Sequence, residues 1–137
     1  MNDKALEWLR QWETAINAAD FAAARLLFSP DAVSFGTLAG STTGLHELET
    51  LQWRKIWPTI KDFKFDGPLV LLTGEPTLSA VIVSLWHSKG KTLGGGWCDR
   101  KGRATLVLRI ENGVLRCCHS HLSMEPGTPA LFDGSSG

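Results

Sequence analysis

The chain has no tyrosine, only three cysteines, and no excess of either charge: Lys plus Arg number 14, and so do Asp plus Glu. Each shortage excludes something. Without a phenol, no site can use a tyrosine hydroxyl as acid or donor. Cys98, Cys117 and Cys118 are odd in number and two are adjacent, so they form neither a disulfide framework nor the spacing of a zinc site. They read as small apolar fillers in a reducing compartment, the cytoplasm. A formal net charge of zero speaks against a nucleic-acid partner, which a basic surface would mark. No run approaches the roughly 18 consecutive apolar residues of a membrane span, and residues 1–8 hold no apolar stretch of signal type.

What is present is a globular balance over 137 residues, 43% hydrophobic and 20% charged, the length of one domain. The periodicity is helical at first. Leu6, Leu9, Trp12 and Ile16 predict a helix over 4–18, with charged residues interleaved. Asp20 suits the N-cap of a short second helix over 21–28, which Ser29-Pro30-Asp31 ends. A short strand is expected over 32–35, then a turn-rich stretch, then a third helix over 45–57 stopped by Pro58.

From Lys61 the period becomes strand-like. Phe63, Phe65 and Leu69 to Leu72 make one extended run, bent at Gly67-Pro68. Turns are expected at 73–76 and 88–91, with strands over 78–87 and 93–110. Asn112-Gly113 is a strong two-residue hairpin signal, and 114–124 then pairs back. Helices followed by hairpin-linked strands predict an α+β domain over 1–126, three helices on the concave face of a curved antiparallel sheet. A flexible tail is expected over 127–137.

The order helix–helix–strand–helix–long strands, with the stretch from Arg103 through Asn112-Gly113 to His119, His121, Ser123 and Pro126, resembles the SnoaL-like group of the nuclear transport factor 2-like superfamily. The hairpin is also similar to the association domain of calcium/calmodulin-dependent kinase II. Leu115 stands where that family usually carries Trp. The resemblance covers about residues 3–126 and implies a cone with a ligand pocket inside. It further implies either a cofactor-independent isomerase, cyclase or dehydratase acting on an apolar ring compound, or a non-catalytic ligand-binding or oligomerisation module. A homodimer through the sheet follows from the family and from the apolar strands 69–72 and 81–85. Ketosteroid isomerase holds its oxyanion with a Tyr and a protonated Asp. A chain without Tyr cannot repeat that pair.

Six tryptophans are the compositional outlier. Burying one removes roughly 150–250 Å² from water, about 4–6 kcal/mol as an upper bound, so core packing is one reading. An aromatic wall for a flat apolar ligand is the other, with Trp12, Trp53, Trp57 and Trp97 as candidates beside Phe35 and Leu122. His119 and His121 are two apart on a strand and share a face with Cys117 and Ser123, while Cys118, Ser120 and Leu122 take the other. If the histidine face points into the cone, a general base near neutral pH is available. If not, the pair belongs to sheet packing or an interface. The residue matching Leu122 is an inward Arg in the kinase association domain, which favours the second reading.

Asp99 shares parity with Trp97, Lys101 and Arg103. In an aromatic cleft it would shuttle a proton, with Arg103 assisting electrostatically; its other reading is a solvated turn, Asp99-Arg100-Lys101-Gly102. The catalytic candidates are therefore Asp99, His119 and His121, without metal or cofactor. Gly94-Gly95-Gly96 opens no helix and so is no phosphate cradle.

Overall fold

The computed structural model of the protein describes residues 2–74 and 79–127. The expected tail and part of the expected turn at 73–76 lie outside those residues. Helix α1 (Asn2–Ala18) buries Ala5, Trp8, Leu9, Trp12, Ala15 and Ile16 on one stripe. Helix α2 (Phe21–Arg25) begins at Asp20, whose side chain accepts from the Ala23 amide. It ends three residues before the expected boundary, because β1 (Phe28–Phe35) already starts at Phe28. Pro30 is tolerated there by a register shift between Phe28 and Val33.

Strand β2 (Thr42–Thr43) is a short hook that the sequence did not signal. The third helix, α3, begins as Leu45–Leu48 and passes through a π-helical segment, Glu49–Trp53. It closes with Arg54–Ile56 and a tight turn, Trp57–Thr59, where Pro58 ends it. The strands that follow are β3 (Ile60–Phe65), β4 (Val70–Gly74), β5 (Ser79–Lys91), β6 (Trp97–Glu111) and β7 (Val114–Met124).

The sheet runs β2-β1-β7-β6-β5-β3, with β4 also on β5. It is mixed and not wholly antiparallel, because β1 lies parallel to β7. The β6–β7 hairpin turns on Asn112 and Gly113, with φ of 52° and 80°, the left-handed pair that a type I′ turn requires. The turn expected at 88–91 is strand instead. Ser88, Lys89, Gly90 and Lys91 alternate inward and outward, and the chain reverses four residues later at Thr92–Gly96. That lengthens β5 and β6 into a ladder from Ser79↔Arg109 to Lys91↔Trp97.

Two faces follow from this ladder, because directly paired residues share a side. Inward rows join Leu71, Ile82, Leu106, Ser120 and Ser34, then Ser84, Ala104 and Leu122, then Trp86, Gly102 and Met124. Outward rows join Leu72, Val81, Val107, His119 and Val33, and Val70, Val83, Thr105, His121 and Phe35. α1 and α3 cover the inward face. Five tryptophans, at 8, 12, 53, 57 and 86, are buried there with Phe28, Phe63 and Phe65. Trp53 stacks on Trp57 with centroids 4.8 Å apart, and Phe28 meets the edge of Trp53 at 5.0 Å.

Candidate functional site

Inside the cone, between α1, α3 and the inner face of the sheet, lies a cavity. Trp12 and Ile16 line it from α1, Gln52, Trp53 and Trp57 from the third helix, and Trp86, Arg100, Ser120 and Leu122 from β5, β6 and β7. Phe35 and Thr37 border it at the end of β1. The funnel outlined by these side chains, mouth included, is about 470 Å³, but only about 40 Å³ is open to the centre of a water-sized sphere. That admits about three waters, whereas a cavity that takes benzene measures about 150 Å³. An apolar ring compound of the kind the resemblance implies is larger than that inner free volume.

Two buried donors in the cavity lining lack a full set of partners. Arg100 is 3% exposed and faces inward opposite Ser88. Its guanidinium lies over the Trp86 ring, 5.2 Å from the centroid. One NH2 reaches Thr37 Oγ1 at 3.5 Å and Met124 Sδ at 3.3 Å, both long contacts, and its Nε has no protein partner. Burial pushes its pKa down to about 10, so it stays charged at neutral pH. Trp12 is 2% exposed and its Nε1–H is likewise unpartnered. By contrast the indole of Trp8 donates to the Leu27 carbonyl at 2.9 Å.

Gln52 organises the rim. Its Oε1 accepts from the amides of Leu38 (3.0 Å) and Ala39 (2.7 Å), and its Nε2 donates to Thr37 Oγ1 at 3.0 Å. Thr37 Oγ1 thus accepts from both Gln52 and Arg100, which leaves its own O–H free to donate. Gly36 belongs to the same arrangement: a Cβ there would fall 2.7 Å from the Gln52 side chain.

The structure brings together four of the residues expected at a site, Trp12, Trp53, Trp57 and Leu122, leaves Phe35 at the rim with its ring on the outward histidines, and sends the other five outside. Asp99 stays in strand β6, neither a cleft acid nor a turn residue. It is exposed, ion-paired to Lys89, and held below the usual carboxylate range by that hydrogen bond. Trp97 and Arg103 lie on the same outward parity. Trp97 is 42% exposed with the Lys61 ammonium 4.3 Å from its ring, and Arg103 donates to Ser123 Oγ at 3.3 Å. His119 and His121 also face outward, both edge-on to Phe35. His119 Nδ1 is 2.7 Å from the Val33 carbonyl, which fixes that nitrogen as the protonated one.

The shared face expected for Cys117, His119 and His121 fails at a bulge. The pairing jumps from Val107↔His119 to Leu108↔Cys117, so Cys118 is the extra residue. Cys117 is therefore fully buried while the histidines are outside. The residues the sequence reading missed are Arg100, Gln52, Thr37 and Trp86. A signal for Arg100 existed, since it shares parity with Gly102, Ala104, Leu106 and Leu108, the apolar side of β6. Among the described residues no cluster of three or more His, Cys, Asp or Glu could hold a metal ion. No helix among them is long and apolar enough to cross a membrane.

Residues 6–126 match the family model for the SnoaL-like domain. No curated protein matches the chain. Among solved structures it is similar to a ketosteroid isomerase-like protein from Erwinia carotovora atroseptica, with TM-score 0.78 and 17% identity over 93% of this chain and 96% of that one. It is also similar to a nuclear transport factor 2-like superfamily protein from Salmonella enterica serovar Typhimurium, with TM-score 0.73 and 22% identity over 96% and 92%. The association domain of C. elegans calcium/calmodulin-dependent protein kinase II superposes with TM-score 0.70 and 16% identity over 89% and 94%. At these identities the likeness is one of fold.

Proposed function

We propose that this chain, which belongs to the SnoaL-like domain family, is a small-molecule-binding domain whose ligand sits in the cone against Trp12, Trp53, Trp57 and Leu122. The observation that carries this reading is the cavity itself, walled by indoles and floored by a buried guanidinium. Among the described residues its lining contains no carboxylate and no imidazole, the usual general acids and bases of proton transfer. Binding without turnover is therefore the function assigned to it. The test is a panel of small acids, amides and alcohols added to the ¹⁵N-labelled protein. Saturable shifts of the indole and amide signals of Trp12, Trp53 and Gln52 are expected. Shifts confined to the outer sheet, or none, would refute the reading.

A second reading concerns assembly and rests on the outward rows of the sheet. Val33, Phe35, Val70, Leu72 and Leu85 are large apolar side chains left exposed on that face. We propose that two copies pair through it, with His119 and His121 among the apolar residues covered. Sedimentation at micromolar concentration is expected to give a dimer, and Val107→Lys a monomer. A monomeric parent would overturn the pairing.

A further inference from the structure

The cone holds one buried cation, Arg100, that pairs with no carboxylate among the described residues. Arg10, Arg25, Arg54 and Arg109 each sit on a carboxylate. Arg100 is more deeply buried than any of these, yet none of the ion pairs among the described residues includes it. A buried charge without a counter-charge is costly, and the usual remedies are a partner or a bound ion of opposite sign. Around it the Arg100 Nε–H and the Trp12 Nε1–H have no partner and the Thr37 hydroxyl has a hydrogen to give, while the Ser120 hydroxyl, also in the lining, donates to Ser34 Oγ. A buried cation and unpaired donors on residues that line one small hollow favour a negatively charged guest rich in acceptors. The free volume of about 40 Å³ limits the buried part of that guest to a few non-hydrogen atoms.

Resting on the binding function proposed above, we infer that the ligand is a carboxylate, its two oxygens shared between Arg100, Trp12 and Thr37 and only a methyl-sized stem behind them. Trp86, which lies under the guanidinium, holds the fork in place, and Gln52 holds Thr37. A planar two-oxygen group matches the planar guanidinium, which a spherical halide does not.

The experiment compares acetate with its neutral near-isostere acetamide and with chloride, at constant ionic strength, on the intact chain. The Trp12 indole N–H signal and the melting temperature report binding. Acetate is expected to bind at least tenfold more tightly than either control, and Arg100→Met to abolish the response. Arg100→Lys, which keeps the charge but not the fork, is expected to weaken binding about tenfold. If Arg100 serves only to hold the fold together, Arg100→Met lowers the melting temperature without ligand. If it is an anion receptor, the substitution leaves that temperature unchanged or raises it, since an uncompensated buried charge has been removed. Equal responses to acetate and acetamide, or an acetate response that survives in Arg100→Met, would overturn the inference while leaving the cone as a binding site. No cone response to any of the panel compounds would overturn both.

Discussion

Gly102 adopts an ordinary extended backbone, so only its missing side chain accounts for it. Its strand partner on β5 is Trp86, and the indole lies directly across the glycine. A Cβ at 102 would stand 2.1 Å from Cε2 and Cζ2 of Trp86 and 2.4 Å from the Ser123 carbonyl oxygen. Ordinary contact begins near 3.4 Å, so ring and methyl must part by about 1.3 Å, the difference of those two distances. The ring has nowhere to go. It is 1% exposed, stacked on Phe63 at 5.3 Å, capped by the Arg100 guanidinium, and tied through Nε1 to the Arg103 carbonyl. Overpacking of this kind costs about 1–3 kcal/mol, and the clash with backbone as well as ring puts Gly102→Ala at the upper end. The reduced freedom of the unfolded chain returns about 0.5–1 kcal/mol, leaving a net loss of about 2 kcal/mol. Unfolding entropy near 2.1 cal/mol/K per residue then gives a melting temperature lower by about 7 °C. Calorimetry reads this directly. A cycle with Trp86→Leu adds a second measure, because a smaller side chain at 86 makes room for the methyl, and a coupling of at least about 1 kcal/mol is expected. A melting temperature for Gly102→Ala within about 2 °C of the parent, or an additive cycle, would refute the steric account.

Two further outcomes follow from the polar groups around α3. Glu49 is almost buried and bridges Arg25 at 2.5 Å and Arg54 at 2.7 Å. The hydrogen bond from Arg25 is the main reason its pKa falls below the usual carboxylate value. A pKa lower in the folded than in the unfolded chain stabilises the fold above the unfolded value, and that stability is lost as pH falls through the carboxylate range. Glu49→Gln is expected to cost about 1–2 kcal/mol at pH 7, since the arginines are half-exposed, and its deficit against the parent should shrink by pH 3 to 4. Urea titrations at the two pH values measure it; a deficit independent of pH contradicts the ionic origin. Gln52→Leu removes the acceptor for the Leu38 and Ala39 amides, a loss of about 2 kcal/mol. Hydrogen exchange at those two amides should accelerate at least tenfold, and unchanged protection would show that Gln52 does not hold the rim.

Much of this molecule is written in short-range chemistry. The stripe of Leu9, Trp12 and Ile16 fixes α1, Asp20 caps α2, Pro58 ends the third helix, and Asn112-Gly113 sets the β6–β7 turn, each through interactions within a few residues. The aromatic wall of Trp12, Trp53 and Trp57 was legible for the same reason, since helical spacing decides which rings share a side. Which strand residues face the cone was settled at a distance. The extra residue at Cys118 turns His119 and His121 out, and the reversal at Thr92–Gly96 draws β6 back along β5 until Arg100 meets Ser88 beneath α1 and α3. A side-chain period of two makes every such assignment hostage to one inserted residue or one shifted turn, and pairing partners far along the chain decide where those fall. The sequence by itself therefore determined the helices, the order of the long strands and the three helical indoles of the lining, while the register of the assembled sheet brought Trp86 in, left Trp97 out and placed the Arg100 guanidinium inside.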